Sequence, residues 1–275
     1  MVLLDGKKLA QKILGALRQE IAESKKTLRL AAIVVGENAV VNKFVEQKKK
    51  AACSVGIEVR VFPFPAAITT NELRKRLAEI VHETRNTGVI VQLPLPSHIN
   101  KQYILNAVVP EKDVDVLSGR AIGNVVVGKW PILPPVAGAI KAFFEEYGIA
   151  YQKKRIVVVG KGSLVGRPVA LWLLGEEGTV SVLDKETEAP GAVLAQADII
   201  ISGIGKPGFI TGEMVKKGAV VVDAGTSESE GKVVGDVDFD SVAPKASYIT
   251  PVPGGIGPLT VAILLQNVLT LASRR

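Results

Sequence analysis

Hydrophobic positions along the chain switch between helical spacing and unbroken apolar runs, and each switch marks an element. Leu9, Ile13, Leu17 and Ile21 fall on one stripe of an amphipathic opening helix. The run LRLAAIVV at 28–35 reads as a buried strand ending at Gly36. A helix over 39–55, a strand over 57–62 (IEVRVF), a helix opened by the capping box Thr69-x-x-Glu72, and a strand over 88–92 (GVIVQ) that stops against LPLP complete the first half. This alternation predicts a parallel sheet covered by helices, with ligands beyond the carboxyl ends of its strands, where Gln92 sits.

A less regular stretch at 110–134 leads into a helix over 136–147 with Ile140, Phe143 and Phe144 on its apolar side. From 153 the alternation restarts, with IVVVG at 156–160, a helix from 164, TVSVL at 179–183, ADIIISGIG at 197–205 and GAVVVDAG at 218–225. The expected fold class is therefore α/β, with two α/β domains separated by a substrate cleft, the second a Rossmann-like parallel sheet. Residues 1–135, joined by an apolar C-terminal helix at 257–275, are expected to form the catalytic domain, and 136–256 the dinucleotide-binding domain.

Composition narrows the function classes. With 275 residues, 47% of them hydrophobic, the chain can build two cores. A net charge of +7 scattered along the chain, with only 5% aromatic residues, argues against a nucleic-acid partner, which calls for concentrated charge and stacking platforms. No apolar run reaches the roughly 18 residues of a membrane span, so a soluble, unprocessed protein with no membrane partner is expected. Cys53 is the single cysteine and there are two histidines, so neither a disulfide nor a metal site is expected, and a reducing cytoplasmic setting fits.

The segment FVEQKKK at 44–50 looks like a solvated charge run. On a helix, however, Val40, Val41, Phe44, Val45, Ala51, Ala52 and Val55 gather on an apolar arc about 140° wide with Lys48 near its middle, while Lys43 and Lys50 point away and Lys49 lies at the edge. A lysine so placed snorkels outward, finds a partner or sheds its proton, because burial disfavours the charged form. The residues alone leave these readings open.

In the second half, GKGSLVG at 160–166 follows a strand and opens a helix. Gly160, Gly162 and Gly166 permit close backbone approach, and a helix N-terminus favours a pyrophosphate, which makes Gly160, Lys161, Gly162, Ser163 and Gly166 the expected cofactor-binding loop. Asp184 ends the next strand, where a carboxylate binds a ribose diol and repels a 2′-phosphate. Lys161 and Lys185 flank it and attract phosphate, so the choice between NAD and NADP stays open. Gly225 and Thr226, just after the strand at 218–225, complete the expected set.

Four segments, in order and over essentially the whole chain, resemble the bifunctional methylenetetrahydrofolate dehydrogenase/methenyltetrahydrofolate cyclohydrolase family: Lys48 followed by KKAACSVGI, VQLPLP at 91–96, PEKDVD at 110–115 and TPVPGGIGPLT at 250–260. GKPGF at 205–209, VVGDVDF at 233–239 and the phosphate loop add to the resemblance. It implies that Lys48 is the catalytic lysine, that Gln92 hydrogen-bonds it, and that Asp115 grips the amino-pyrimidine edge of a pterin, an edge whose two N–H donors suit a carboxylate. It further implies that Phe44 and Pro94, with Gly254, Gly255 and Pro258 of a glycine-rich closing loop, bind a tetrahydrofolate substrate. Gly160, Gly166 and Asp223 lie in segments that line the dinucleotide site in the family. The implied activity is oxidation of 5,10-methylenetetrahydrofolate with NAD or NADP, then hydrolysis to 10-formyltetrahydrofolate, by a homodimer in one-carbon metabolism and purine biosynthesis.

The chain also departs from the family pattern. Phe44 stands in place of a tyrosine, Val41 of a serine, LPPVAG at 133–138 of PCTPxG, and Val116 of the glycine after KDVD. Lys161 and Gly162 replace an arginine and a serine, and LDKET at 183–187 replaces a histidine-serine-arginine segment linked to NADP. Two alternatives therefore stand beside the main reading: a dehydrogenase without the hydrolytic step, and a silent member that only binds folate or nucleotide.

Overall fold

The computed structural model describes residues 1–229 and 232–274. Its strands are β1 (Val2–Leu3), β2 (Leu28–Val35), β3 (Ile57–Phe64), β4 (Gly88–Val91), β5 (Arg155–Val159), β6 (Thr179–Leu183), β7 (Ile199–Ser202), β8 (Val220–Asp223), β9 (Ser227–Ser229), β10 (Lys232–Val234) and β11 (Tyr248–Ile249). The helices are α1 (Gly6–Ser24), α2 (Ala39–Val55), α3 (Thr70–His82), α4 (Lys101–Leu105), α5 (Gly119–Val126), α6 (Pro135–Glu146), α7 (Gly166–Leu173), α8 (Pro190–Leu194), α9 (Phe239–Val242) and α10 (Ile256–Ala272). The chain divides into two compact units, Met1–Ala10 with Val136–Thr260, and Gln11–Pro135 with Val261–Arg275.

The second of these units is built on a parallel three-stranded sheet ordered β3-β2-β4. β2 is central and apolar on both faces, as a strand covered by helices must be. One side packs Leu28, Leu30 and Ile90 with Ala52 and Val55 of α2 and with Leu264, Leu265, Val268 and Leu269 of α10; the other packs Ile33, Val89 and Val91 with Leu73 and Leu77 of α3. α3 starts where the capping box predicts, with Glu72 N donating to Thr69 Oγ1 at 3.3 Å. Buried Asn267 anchors α10 by donating from Nδ2 to the carbonyls of Val114 and Leu133, at 2.9 and 3.0 Å.

The other unit holds a parallel six-stranded sheet ordered β1-β11-β8-β7-β5-β6. From β5 the chain crosses to β6 on one side and then to β7 on the other, so strand order reverses at β5. The carboxyl ends of β5, β7, β8 and β11 lead into 160–166, 203–206, 224–226 and 250–258, which places these four glycine-bearing segments at one edge of the sheet.

The first ten residues depart from the predicted domain boundary. Val2 and Leu3 pair in parallel with Tyr248 and Ile249, and Leu4 is fully buried, so this segment belongs with the Rossmann-like sheet. Two residues are too few to display a period, and their partner lies more than two hundred positions away. At the other end the predicted 257–275 helix joins the unit of the three-stranded sheet only from Val261, and Arg275 lies outside the described residues. No helix among the described residues is long and apolar enough to cross a membrane.

Candidate active site

α2 carries the lysine run, and its burial follows the predicted arc with one exception. Val41, Val45, Ala52 and Val55 are buried, Ala51 and Lys48 are half-buried, and Lys43, Lys49 and Lys50 are exposed, while the Val40 side chain lies outside what the structure describes. Phe44 is the exception: it is 46% exposed, so its ring is presented to solvent instead of closing the core. Lys48 has found a partner. Its Nζ donates to Gln92 Oε1 at 2.8 Å. Gln92 is fixed in turn, since its backbone N–H donates to the Ile33 carbonyl at 2.9 Å and its Nε2 to the Leu93 carbonyl at 3.1 Å. With Nε2 committed, Oε1 faces the amine. Pro94 follows a cis Leu93–Pro94 bond directly after this residue.

Asp115 lies on a turn that Asp113 builds. The buried Asp113 carboxylate accepts from Leu117 N at 3.0 Å and Ser118 N at 2.7 Å. Asp113 also bridges to Val89 of β4, which sets the turn beside the strand that leads into Gln92. Between the two aspartates and these amides, Val116 is fully buried in left-handed backbone with φ 56°. That conformation costs an L-residue roughly 1–2 kcal/mol, and it explains why a glycine suits the position. Burial pushes the Asp115 carboxyl above its usual range, opposed by the charge of Lys48. Burial likewise raises Asp113 to about 6, against the pull of its hydrogen bonds to Ser118 and Leu117. Lys48, Gln92, Asp115, Phe44 and Pro94 thus belong to one unit, whose interaction network joins the first three.

The remaining expected residues belong to the Rossmann-like unit. Gly160 has φ 104°, and a Cβ on Gly166 would lie 1.8 Å from the Gly160 carbonyl oxygen, so the loop closes tightly onto the start of α7 only because both are glycine. Gly162 has open space around it and is exposed, as is Lys161, while Ser163 is half-buried. This compact turn at the N-terminus of an eight-residue helix, at the reversal of strand order, fits the pyrophosphate of a dinucleotide. Asp184 forms an ion pair with Lys161 and accepts from Glu186 N at 3.0 Å. Lys161 first, then the Glu186 amide, holds its carboxyl below the usual range. Lys185 is exposed and paired with Glu186. Gly225 is buried and Thr226 exposed at the end of β8. Gly254 (φ 114°) and Gly255 follow β11, and Pro258 sits in the first turn of α10.

The sequence reading did not single out several residues that shape these segments. Gly6 is one: a Cβ there would lie 1.7 Å from the Gly255 carbonyl oxygen, and Lys7 N donates to the Gly254 carbonyl at 3.1 Å. Nothing in the local pattern reveals such a contact. Asp113 and Asp236 are others, although both lie inside quoted motifs, KDVD and VVGDVDF.

Known proteins resemble this one along the whole chain. Sequence profiles of the tetrahydrofolate dehydrogenase/cyclohydrolase catalytic domain and NAD(P)-binding domain match residues 4–115 and 134–275. The chain belongs to the tetrahydrofolate dehydrogenase/cyclohydrolase family. It is 43% identical over 281 residues to the bifunctional protein FolD of Sulfurihydrogenibium sp., covering 100% of this chain and 99% of that one. Among solved structures it resembles the bifunctional FolD enzyme of Campylobacter jejuni, with TM-score 0.97, 39% identity and coverage of 100% and 99% of the two chains. It also resembles the Trypanosoma brucei enzyme complexed with NADP and an inhibitor, with TM-score 0.95, 35% identity and coverage of 100% and 98%. Family membership makes the chain an enzyme with an NAD(P)-binding domain.

Proposed function

We propose that this protein oxidises 5,10-methylenetetrahydrofolate to the 5,10-methenyl cation with NAD(P)+ and then hydrolyses the cation to 10-formyltetrahydrofolate. The observation that carries this reading is the Lys48–Gln92 hydrogen bond beside Asp115, in a chain of this family. The dinucleotide, held by Gly160, Lys161, Gly162, Ser163, Gly166, Asp184, Lys185, Gly225 and Thr226, supplies a hydride acceptor. Everything else is orientation and proton handling. Asp115 accepts the paired N–H donors of the pterin edge, and the exposed Phe44 ring offers a stacking face. Gly254, Gly255 and Pro258 contribute the closing loop, and Pro94 shapes the turn after Gln92.

Hydrolysis requires water to add to the methenyl carbon, losing a proton, and the ring to open at one nitrogen, which gains one. Lys48 Nζ handles these protons, and Gln92 Oε1 holds the amine in place between the two steps. A homodimer in a reducing cytoplasm is the setting we propose; an exposed, unpaired Cys53 suits that compartment.

The test is direct. Methylenetetrahydrofolate-dependent reduction of NAD+ or NADP+ is expected, together with methenyltetrahydrofolate decay faster than the uncatalysed blank. No reduction of either dinucleotide would overturn the enzyme reading. Reduction with decay at the blank rate would leave a dehydrogenase alone, an outcome that the missing hydroxyl at Phe44 would explain.

A further inference from the structure

Two buried carboxylates of the Rossmann-like unit have no part in the chemistry above. Asp236 is fully buried, and its Oδ2 accepts from Ser202 Oγ and Ile204 N, each at 2.8 Å, while its Oδ1 accepts from Lys206 N at 2.8 Å. Those donors are the last residue of β7 and the turn that follows it. Asp223, buried at the end of β8, does the same for the next strand: Oδ1 accepts from Gly225 N and Oδ2 from Val237 N, both at 2.9 Å. A buried carboxylate is tolerated when several donors converge on it, and both groups meet that condition through loop amides.

The two carboxylates interlock through glycines. A Cβ on Gly225 would lie 2.2 Å from Asp236 Cγ, and a Cβ on Gly235 would lie 2.1 Å from Asp223 Oδ2. Each aspartate therefore occupies the space that a side chain on the other's segment would fill. The turn that Asp236 holds then reaches the phosphate loop. A Cβ on Gly160 would lie 2.9 Å from Ile204 Cγ2, and one on Gly203 would lie 2.3 Å from Val165 Cγ1. β5 and β7 are neighbours where strand order reverses, the place at which α/β sheets take their ligands.

We propose that Asp236 is a positioning residue for the dinucleotide: through the amides of Ile204 and Lys206 it sets the 203–206 turn against the Gly160–Gly166 loop, and Asp223 locks that arrangement by clamping 225 and 237. Asp236 touches no reacting atom. The proposal rests on the reading that this loop takes NAD(P), which wild-type activity tests separately.

Asp236→Asn turns one accepting oxygen into a donor facing N–H groups, and is expected to weaken NAD+ and NADP+ binding, measured by calorimetry without folate, about tenfold or more. The KM for the dinucleotide rises by a similar factor, while the KM for methylenetetrahydrofolate stays within about twofold. Ser202→Ala removes one hydroxyl but keeps both amide bonds, and is expected to change dinucleotide affinity by less than about threefold. Unchanged dinucleotide affinity in Asp236→Asn overturns the proposal. A variant that is unfolded by circular dichroism, or that raises both KM values equally, also overturns it, because Asp236 would then be a general stability residue.

Discussion

Lys48 Nζ donates to Gln92 Oε1 at 2.8 Å, tying the apolar face of α2 to the carboxyl end of β4. The partner is neutral and its other amide end is committed to the Leu93 carbonyl, so the amine is oriented by a hydrogen bond to an amide, with the Asp115 carboxyl as the nearby charge it acts on. Lys48→Ala is expected to lower methenyltetrahydrofolate hydrolysis about a hundredfold or more while NAD(P)+ affinity, measured by calorimetry, is retained. Equal loss of both would remove the role assigned to the lysine.

Lys161 and Asp184 form an ion pair at the end of β6, next to the phosphate loop. A carboxylate there accepts a ribose diol and repels a 2′-phosphate, and Lys161 is exposed enough to turn toward a phosphate once its partner is gone. Asp184→Ser is therefore expected to shift the ratio of kcat/KM for NAD+ over NADP+ about tenfold or more toward NADP+. Initial rates with both dinucleotides check this; an unchanged ratio would mean that Asp184 serves only its own turn, where Glu186 N and Thr187 also bond to it.

Gly6 has no room for a side chain, because its Cβ would meet the Gly255 carbonyl oxygen at 1.7 Å. Overlap with backbone cannot be relieved by a rotamer change, so Gly6→Ala is expected to destabilise the Rossmann-like unit by about 1–3 kcal/mol. Displacement of the segment proposed to close over the substrate is also expected to raise the KM for methylenetetrahydrofolate more than that for the dinucleotide. Urea unfolding and steady-state kinetics on the same preparation read both effects.

Asp113 makes stability depend on pH in a direction opposite to most carboxylates. Its carboxyl is raised from 3.8 to about 6, chiefly by burial, so between those values the folded chain keeps a proton that the unfolded chain has released. That contribution is full below about pH 4 and is lost as pH rises through about 6. Wild-type stability relative to Asp113→Asn should fall by roughly 2 kcal/mol between pH 4 and 7, read from urea titrations. A difference independent of pH would place the Asp113 carboxyl in its ordinary range.

Much of this was legible in the sequence for physical reasons. Runs such as 30–35 and 156–159 are apolar throughout because a parallel strand is covered on both faces, and the arc on α2 singles out Lys48 because helical geometry is local. Glycine spacing marked the loop at 160–166, since only glycine permits so close a turn. What the sequence by itself determined is thus the alternation of elements, the tight glycine turn at 160–166 and the inward lysine, all features whose causes span a few residues. Tertiary structure alone decided that Val2 and Leu3 join the far sheet, that Gly6 seats the loop at Gly255, that Phe44 lies open, and that Asp236 braces the turn at Ile204. Each of these depends on contacts between distant residues or on what remains uncovered after packing, and a short pattern along the chain carries no record of either.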